Sequence, residues 1–480
     1  MLKRHSLGYL VARGGPALIS FLAIAVLTRL MTADAYGKYQ LVVVGVGLAG
    51  ISFRWLRLSL LRFLPAYQER TTRLFSAILT FFVLTSAAMG GGIFIGVFFI
   101  ETLVWSGLVA ISIPLLWVKG WYELNLELTR SRLNPRQYGW LRLTKVGFTL
   151  VGGALLVVLG FGPFGPLIGL ITGMFVAGVV LSWGKWKQAL FGIQLLKSDL
   201  SKKLLRYGLP LTASFAVNFI LSGSDRLLIA WFIDEAATGI YSAGYDITQQ
   251  TITTLMSVVN LAAYPLAVNA METGGEDAAY AQMHENGTLL LAIGLPSTVG
   301  LIMLSAEFGT LFLGQEFREM GIQLLPWIAG GALLSGIRAY HYDLAFQLAN
   351  RTVSQVWVLG GAAVANIGLN LWLIPISGVL GAAYATIASY AIALALSIVF
   401  GRKVLRVPMV PEGLYKASIS TFIMALAVYI VDVEGVLLSL TLSIVVGGTA
   451  YLVGAYVTDL SGAQRETAKF VRQLGETNLL

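Results

Sequence analysis

Apolar runs near or above 18 residues recur along the whole chain, and this repetition constrains its fold more than any other feature. Each run is long enough to cross a hydrocarbon core of about 30 Å as a helix. Of the 480 residues, 57% are hydrophobic and 12% are charged, which is about half the charged share of a typical soluble domain. The sequence therefore predicts an all-α polytopic membrane protein. We expect fourteen spans, at residues 9–30, 39–61, 74–99, 102–119, 143–161, 164–183, 206–232, 237–266, 287–306, 322–348, 353–373, 377–400, 414–431 and 436–458.

Positive charge is distributed unevenly among the connections between these spans. With the amino terminus inside, Arg29, Lys38, Arg226 and Arg318 lie at outward ends, and Arg338 lies within a span. The other lysines and arginines lie on inward connections and flanks, which is the pattern of the positive-inside rule. We therefore expect both termini in the cytoplasm and the chain in the inner cell membrane. The net charge of +9 is then a topology signal and does not indicate nucleic-acid binding.

Cysteine and histidine usage restricts the chemistry of the chain. It has no cysteine, which excludes disulfides, thiolate metal sites and thiol nucleophiles. Its histidines, His5, His284 and His341, are too scattered in sequence to form a recognisable metal motif. The sequence therefore predicts no metal and no cofactor.

The two halves of the chain repeat one another. "GGPALIS…ADAYGKYQL" at the first two spans corresponds to "YGLPLTA…EAATGIYSA" at spans seven and eight, and both end in a G-x-Y motif, Gly37–Tyr39 and Gly239–Tyr241. Transporters are commonly built from such repeats, with the substrate path where the repeats meet. We expect two pseudo-symmetric six-span bundles (1–184 and 206–400), a basic amphipathic interfacial helix between them (185–205), an additional pair of spans (401–458) and a cytoplasmic tail (459–480). A solvated loop without lysine or arginine is predicted at Met271–Asn286.

Three segments carry a resemblance to a known family: "LTRLMTADAYGKYQL" (Leu27–Leu41), "GLPLTASFAVNFILSGSDRLLIAWF" (Gly208–Phe232) with "GIYSAGYDI" (Gly239–Ile247), and "GLNLWLIPISGVLGAAYATIAS" (Gly368–Ser389). They resemble the polysaccharide-transport branch of the multidrug/oligosaccharidyl-lipid/polysaccharide (MOP) exporters, of the O-antigen flippase type. The third segment is shared with drug/cation antiporters and lipid II flippases of that superfamily. The resemblance implies a V-shaped, MATE-like pair of bundles that alternates between inward-open and outward-open states. It also implies outward movement of undecaprenyl-diphosphate-linked oligosaccharide units.

Arginines in the second predicted span are the first candidate cargo ligands. Entering from Tyr39, Arg54 lies about 22 Å and Arg57 about 27 Å along the helix. Arg62 is then at the inner interface, where snorkelling explains it. An arginine that faces lipid at the depth of Arg54 costs at least about 2.5 kcal/mol, whereas a guanidinium suits a diphosphate because it offers bidentate, permanently charged donors. For both Arg54 and Arg57, cargo binding and interface anchoring remain the two interpretations.

Two arginines of the first span are further candidates. Arg13 precedes a Gly-Gly-Pro run that weakens the helix, and Arg29 lies near its outward end. They point 160° apart on a straight helix, so both face one cavity only if the helix kinks. Cavity binding and interface anchoring are both open for them.

Polar residues form one stripe on the eighth span. Its members lie within about 60° of Asp246 on a helical wheel: Ser242, Asp246, Gln249, Gln250, Thr253, Ser257, Asn260 and Tyr264. Polar groups in hydrocarbon need partners or water. The stripe therefore predicts either a cavity wall whose amides and hydroxyls suit sugar hydroxyls, or a polar seam between packed helices.

Other ionisable groups inside spans are candidates for cargo binding or ion coupling. Arg338 lies close to mid-span, and His341, one turn on, has a pKa range that suits coupling to protons. The alternative is an internal contact of Arg338 with Asp343 or with a tyrosine, Tyr340 or Tyr342, that holds the second bundle together. Asp225 and Arg226 point about 100° apart, so one is expected toward a cavity and the other outward. Asp225, Asp246, His341 and Asp343 are the predicted ion-coupling residues.

An i, i+3 and i, i+4 ladder at the end of span four runs through Lys119, Glu123, Glu127 and Arg130. It indicates a helix end laced by salt bridges within the helix, with a gate as the alternative.

These features together predict a transporter, not an enzyme. The leading hypothesis is a flippase for lipid-linked oligosaccharides, with membrane lipids and a polysaccharide polymerase or ligase as candidate partners, active as a monomer and without nucleic acid. A lipid II flippase and a cation-coupled multidrug exporter are the alternatives within transport. A membrane glycosyltransferase, polymerase or ligase is the alternative of another class. It lacks support because the longest predicted outward loop, Glu307–Gly321, carries no convincing catalytic set.

Overall fold

The computed structural model describes residues 2–464 except 65, 66, 68–70, 133, 188 and 350. For residues 2–13, 183, 197, 210, 211, 213, 214 and 352 it describes the backbone alone. The described residues form long helices joined by short connections, and no strand occurs among them. The predicted all-α class is confirmed.

The helices are numbered in chain order. The first seven are α1 (Leu2–Leu30), α2 (Ala33–Phe63), α3 (Thr71–Val97), α4 (Leu103–Ser131), α5 (Pro135–Phe161), α6 (Phe164–Gly178) and α7 (Asp199–Phe232). The remainder are α8 (Glu235–Met303), α9 (Ser305–Phe312), α10 (Gln315–Leu348), α11 (Thr352–Gly401), α12 (Pro411–Ile430) and α13 (Val436–Val457).

Eleven helical stretches among the described residues are long and apolar enough to cross a membrane, and α1 adds a shorter apolar stretch at Gly14–Leu30. The longest stretch, α8, has 69 residues and would measure about 100 Å if straight, which is about three times the hydrocarbon thickness. The predicted count of fourteen spans stays a prediction.

Glycines break the two longest helices. Gly275 in α8 and Gly378 in α11 have φ values of 73° and 57°, which lie in the left-handed region that glycine adopts without a steric penalty. Each break divides an overlong helix into two arms of membrane-spanning length. The segment predicted as a solvated loop, Met271–Asn286, is exposed over Glu272–Asp277, but the predicted loop conformation is wrong because helix continues on both sides of Gly275.

The connection between α6 and α7 also differs from its prediction. The expected helix over 185–205 is replaced by a 3₁₀ segment at Val180–Lys185, an irregular stretch, a second 3₁₀ segment at Ile193–Lys197, and the first turns of α7. The irregular stretch is held by side chains of α3 and α4, because the Leu190 amide donates to Ser76 Oγ and Trp186 Nε1 donates to Asn125 Oδ1. Hydrogen bonds to α3 and α4 therefore hold this connection in place of an independent interfacial helix.

The chain divides into two compact units, Met1–Ser242 and Ala243–Leu480. The division falls after Ser242 and not at the predicted linker, since α7 packs against α2 within the first unit. There Ser59 Oγ donates to the Leu204 carbonyl at 3.0 Å, and a Cβ built on Gly208 would lie 2.7 Å from the Trp55 carbonyl oxygen.

The predicted additional pair of spans, α12 and α13, belongs to the second unit. Its helices pack closely through glycines: a Cβ built on Gly447 would lie 2.6 Å from Val428, and one built on Gly454 would lie 3.0 Å from Ser420. Small residues at such positions allow the backbones of membrane helices to approach.

Candidate functional site

Arg57 of α2 is neutralised by the fourth helix. Its Nη1 donates to Glu123 Oε2 in a short contact, and its Nη2 donates to Glu127 Oε1 at 3.3 Å. All three side chains are largely removed from solvent. The carboxylates expected to form a ladder within α4 therefore reach across to α2. Only the contact of Arg130 with Glu127, at 3.6 Å, remains of that ladder among the described residues.

Arg54, one turn earlier on α2, has a different neighbour. The centre of its guanidinium lies 3.6 Å from the centroid of the Phe215 ring on α7. Among the described residues no carboxylate lies within ion-pair distance of Arg54. A cation over an aromatic face is attracted by the ring quadrupole, and its N–H edges stay available to a second partner. Arg54 thus has no ion pair of its own beside the paired Arg57, and Glu123 and Glu127 act on its charge only at longer range.

Two lysines complete this basic cluster, and sequence reasoning did not single out either as a ligand. Lys119 Nζ lies 3.7 Å from a Cβ built on Gly47 of α2, and Lys145 Nζ lies 5.9 Å from the Tyr122 ring. Neither has a carboxylate partner within the part of the chain that the structure describes. Lys119 is electrostatically coupled to Arg54, Arg57 and Glu123, and Lys145 is coupled to Lys119. We define the cationic cluster as Arg54, Arg57, Lys119 and Lys145.

The polar stripe of the eighth span is divided by a π-helical turn at Gln249–Thr253. One extra residue in the turn rotates everything after it by about 100°, so one straight helical wheel does not describe the residues on both sides of the turn. Ser242 is fully buried, whereas Asp246, Gln249 and Gln250 are half-buried. Thr253 Oγ1, in the last residue of the turn, and Asn260 Oδ1, beyond it, are buried with no hydrogen-bond partner among the described residues.

Another π turn, at Arg338–Tyr342, carries Arg338 and His341 of α10, and Asp343 follows it directly. Arg338 Nη1 donates to Asp343 Oδ2 at 2.7 Å, and both side chains are buried. Asp343 also accepts hydrogen bonds from Ser397 at 2.7 Å and Gln355 at 3.1 Å. The structure therefore favours the internal-contact interpretation of Arg338 and Asp343.

His341 points elsewhere. Its Nε2 lies 2.9 Å from the Pro408 carbonyl, its Nδ1 is buried without a partner among the described residues, and its ring abuts Gly287. It is therefore packed in the core of the second unit and separate from the Arg338–Asp343 pair.

Asp225 and Arg226 of α7 are both buried, so the expectation that one of them points outward is wrong. Asp225 Oδ2 accepts a hydrogen bond from Tyr241 at 2.9 Å, and Arg226 Nε donates to Ser242 at 3.0 Å. Two residues of the second G-x-Y region thus hold this pair.

The arginines of α1 are not brought to the cationic cluster by any contact in the described chain. Arg29 is exposed and its Nη1 donates to the Ala25 carbonyl of its own helix at 2.7 Å. The side chain of Arg13 lies outside the described residues.

Comparisons with known proteins agree with this architecture. The sequence profile of the family described as "Polysaccharide biosynthesis protein" matches residues 26–321. A curated relative, the probable low-salt glycan biosynthesis flippase Agl15 of Haloferax volcanii, is 26% identical over 254 residues, covering 52% of this chain and 51% of the relative. The chain thus spans about half the length of the curated relative it matches.

Solved structures share the fold at low sequence identity. The lipid II flippase MurJ in an inward closed conformation has a TM-score of 0.79 at 15% identity, covering 94% of this chain and 98% of that one. A multidrug resistance MATE family transporter of the MOP superfamily, in an inward-facing conformation, has a TM-score of 0.62 at 14% identity, covering 82% and 97%. The predicted MOP fold is confirmed.

Proposed function

The chain belongs to the polysaccharide biosynthesis protein family, and from that premise we propose that it is a flippase for lipid-linked oligosaccharides. Its cargo is a surface-polysaccharide repeat unit on undecaprenyl diphosphate, passed from the cytoplasmic to the outer leaflet by alternating access. The activity is transport, and no bond of the cargo is made or broken.

The observation that carries this proposal is that Arg54 has no ion-pair partner among the described residues. Arg57 has two carboxylates, whereas Arg54 rests on an aromatic ring within an apolar span and has no described counter-ion. A membrane-embedded charge is costly unless it meets a partner. A diphosphate supplies that partner, because a guanidinium binds phosphate oxygens through paired N–H donors.

Residues of α8 are proposed to accommodate the glycan. Thr253 and Asn260 have buried oxygens without described partners, and Gln249, Gln250 and Thr253 lie on the π turn that follows Asp246. π turns often occur at functional sites. Sugar hydroxyls donate and accept hydrogen bonds, so they suit this set of amides and hydroxyls.

The remaining predicted residues are assigned by their surroundings. Asp246 is half-buried and is our candidate for ion coupling, whereas Asp225, Asp343, Arg338 and His341 are enclosed in packed contacts and are proposed to stabilise the fold. Arg13 and Arg29 are retained as interface or cargo contacts.

A second candidate cargo is lipid II, favoured by the fold similarity to the lipid II flippase. Both candidate cargoes present a lipid-linked diphosphate to the cationic cluster and differ in the glycan. The proposed orientation follows the positive-inside pattern, with both termini in the cytoplasm. Because the chain has no cysteine, Thr273→Cys and Asp432→Cys each introduce a sole thiol. An impermeant maleimide should label Thr273→Cys from the cytoplasmic side and Asp432→Cys from the outside.

The deciding experiment measures the sidedness of lipid-linked repeat units in cells that lack this protein. We expect the units to accumulate on the inner leaflet, wild type to clear them, and Arg54→Ala to fail. Arg54→Lys should recover part of the flux, because it keeps a charge but loses the bidentate donors. Arg62→Ala, an exposed arginine on the same helix, is the matched control and should behave as wild type. Normal arrival of the units at the outer face without this protein would overturn the proposal for that cargo.

A further inference from the structure

Lys119 directs its ammonium group toward the middle of the membrane span. Two contacts set the register of α4 against α2: a Cβ built on Gly50 would lie 4.0 Å from Leu116, and one built on Gly120 would lie 3.2 Å from Phe53. The backbone of Lys119 is therefore level with residues 52–53 of α2. Its Nζ, however, lies beside Gly47, which is nearer the amino end of α2.

This direction is opposite to that of an interface anchor. A lysine that snorkels carries its charge toward the nearer water boundary. The predicted span 102–119 places the inward boundary at Lys119, and the side chain runs away from that boundary and from the carboxyl end of α4 at Ser131. Relief of burial therefore does not explain the conformation of Lys119.

Cations outnumber carboxylates around Lys119. Glu123, one turn along α4, has its carboxylate on Arg57, and Glu127 is also engaged there. Arg54 and Lys145 add further positive charge nearby. The four cations of the cluster thus face two carboxylates, and an anion is the species that completes the balance.

Lys119 and Arg54 meet the same neighbouring helix at successive levels. Arg54 lies over Phe215, and a Cβ built on Gly47, where the Lys119 ammonium lies, would be 2.8 Å from Phe219. Phe215 and Phe219 are one turn apart on α7. Gly47 and Arg54 are about 10 Å apart along α2, so the two cations mark two depths along one seam.

We propose that Lys119 is a second ligand for the diphosphate of the cargo. In this role Lys119 receives the anion from Arg54, at a level nearer the membrane centre. This inference rests on the proposed function. It assigns Arg57 to the scaffold, since that residue already has its counter-ions, and makes Arg54 and Lys119 the pair that handles the cargo.

Chemical rescue tests the need for a charge at this position. Lys119→Cys introduces the sole thiol of the chain and should reduce flux of lipid-linked units at least about tenfold, as expected for loss of a charged hydrogen bond. Treatment with 2-aminoethyl methanethiosulfonate forms a mixed disulfide that restores a terminal ammonium, with methanesulfinate as the leaving group. Flux should then recover, whereas methyl methanethiosulfonate, which adds no charge, should leave it low. Lys202→Cys, at an exposed lysine, is the control and should retain wild-type flux throughout.

Binding separates this inference from the proposed function. Purified full-length protein in nanodiscs is titrated with undecaprenyl diphosphate, with inorganic pyrophosphate as competitor. Lys119→Met keeps the length of the side chain, and it should bind at least about tenfold more weakly than wild type while unfolding at the same temperature. If wild type fails to bind undecaprenyl diphosphate, the proposed function fails. If wild type binds it and Lys119→Met binds equally tightly, only the role of Lys119 is overturned.

Discussion

Gly37 and Gly239, the glycines of the two repeated G-x-Y motifs, face each other across a helix crossing. A Cβ built on Gly37 would lie 3.0 Å from the Gly239 nitrogen, and one built on Gly239 would lie 2.9 Å from the Gly37 nitrogen. Each would also overlap a carbonyl oxygen of the opposite helix, that of Glu235 or Ala33. The amino-terminal turns of α2 and α8 thus meet backbone to backbone, and the repeat seen in the sequence is also a contact in space.

Alanine at either glycine should separate these helices. We expect Gly37→Ala and Gly239→Ala each to lower the free energy of unfolding by about 1–3 kcal/mol, because the added methyl group meets backbone atoms that cannot yield. Thermal unfolding of the purified protein measures the change. Gly45→Ala is the matched control on α2, since a Cβ there meets nothing within 4 Å, and it should be neutral or slightly stabilising. Equal behaviour of all three variants would contradict the close crossing.

Phe215 should position Arg54 for anion binding. Phe215→Leu removes a cation–π contact of about 0.5–2 kcal/mol, so the affinity for undecaprenyl diphosphate should fall by a factor between about two and thirty. Phe215→Tyr keeps the ring and should keep the affinity. Isothermal titration measures both, with Phe99→Leu at an exposed ring as the control. An affinity that tracks side-chain volume and not aromaticity would argue against stacking.

Arg57 should be coupled to Glu127 in stability. Removal of one partner leaves a largely enclosed charge without its counter-ion. The losses of stability of Arg57→Met and of Glu127→Gln should therefore add up to more than the loss of the double variant. A double-mutant cycle on thermal unfolding should give a coupling energy of about 0.5–3 kcal/mol. Additive effects would mean that Arg57 is available to cargo.

Asp343 should be needed for stability and not for a transport step of its own. Asp343→Asn leaves Arg338 buried without its carboxylate, and the expected loss is about 3–5 kcal/mol. Replacement of both residues, Arg338→Met with Asp343→Leu, should recover much of that loss, because no buried charge remains. The unfolding temperatures of the two variants decide the matter. Abolished flux at an unchanged unfolding temperature would instead assign Asp343 to ion coupling.

Lys185 should deprotonate at a mildly alkaline pH. Burial, followed by the charge of Arg132, lowers the pKa of Lys185 from 10.5 to about 8, although its Nζ donates a hydrogen bond to Thr129 at 2.9 Å. Its reaction with an amine-acylating reagent, followed by mass spectrometry, should therefore show a midpoint near pH 8 in the folded protein. Arg132→Ala should raise that midpoint, and full unfolding should move it toward 10.5.

The same shift has a consequence for stability. Between pH 8 and 10.5 the unfolded chain holds a proton on Lys185 that the folded protein has released. The contribution of Lys185 to the free energy of unfolding should therefore rise with pH across this interval. An acylation midpoint unchanged by unfolding would contradict the prediction.

Membrane insertion and helical class follow from the sequence because their causes are local. Long apolar runs dictate helices, since in hydrocarbon every backbone polar group must be bonded within its own segment. The repeat around Gly37 and Gly239 and the unusual position of Arg54 within an apolar span can also be recognised from the sequence, because both are local patterns. A predicted interfacial helix over 185–205 failed because side chains of α3, more than a hundred residues away, accept hydrogen bonds from its backbone at Leu190 and Gly192.

The partners of each charge were decided only by the tertiary structure. In sequence, Arg54 and Arg57 look alike, and Lys119 looks like one step of a ladder within its helix. Packing of α4 against α2 takes both glutamates to Arg57, packing of α7 brings Phe215 to Arg54, and Lys119 is left with the gap at Gly47. A π turn likewise divided the stripe that a regular wheel had aligned. Helical periodicity acts over one or two turns, whereas ion pairing depends on which distant helices approach within about 4 Å, and no local pattern contains that distance.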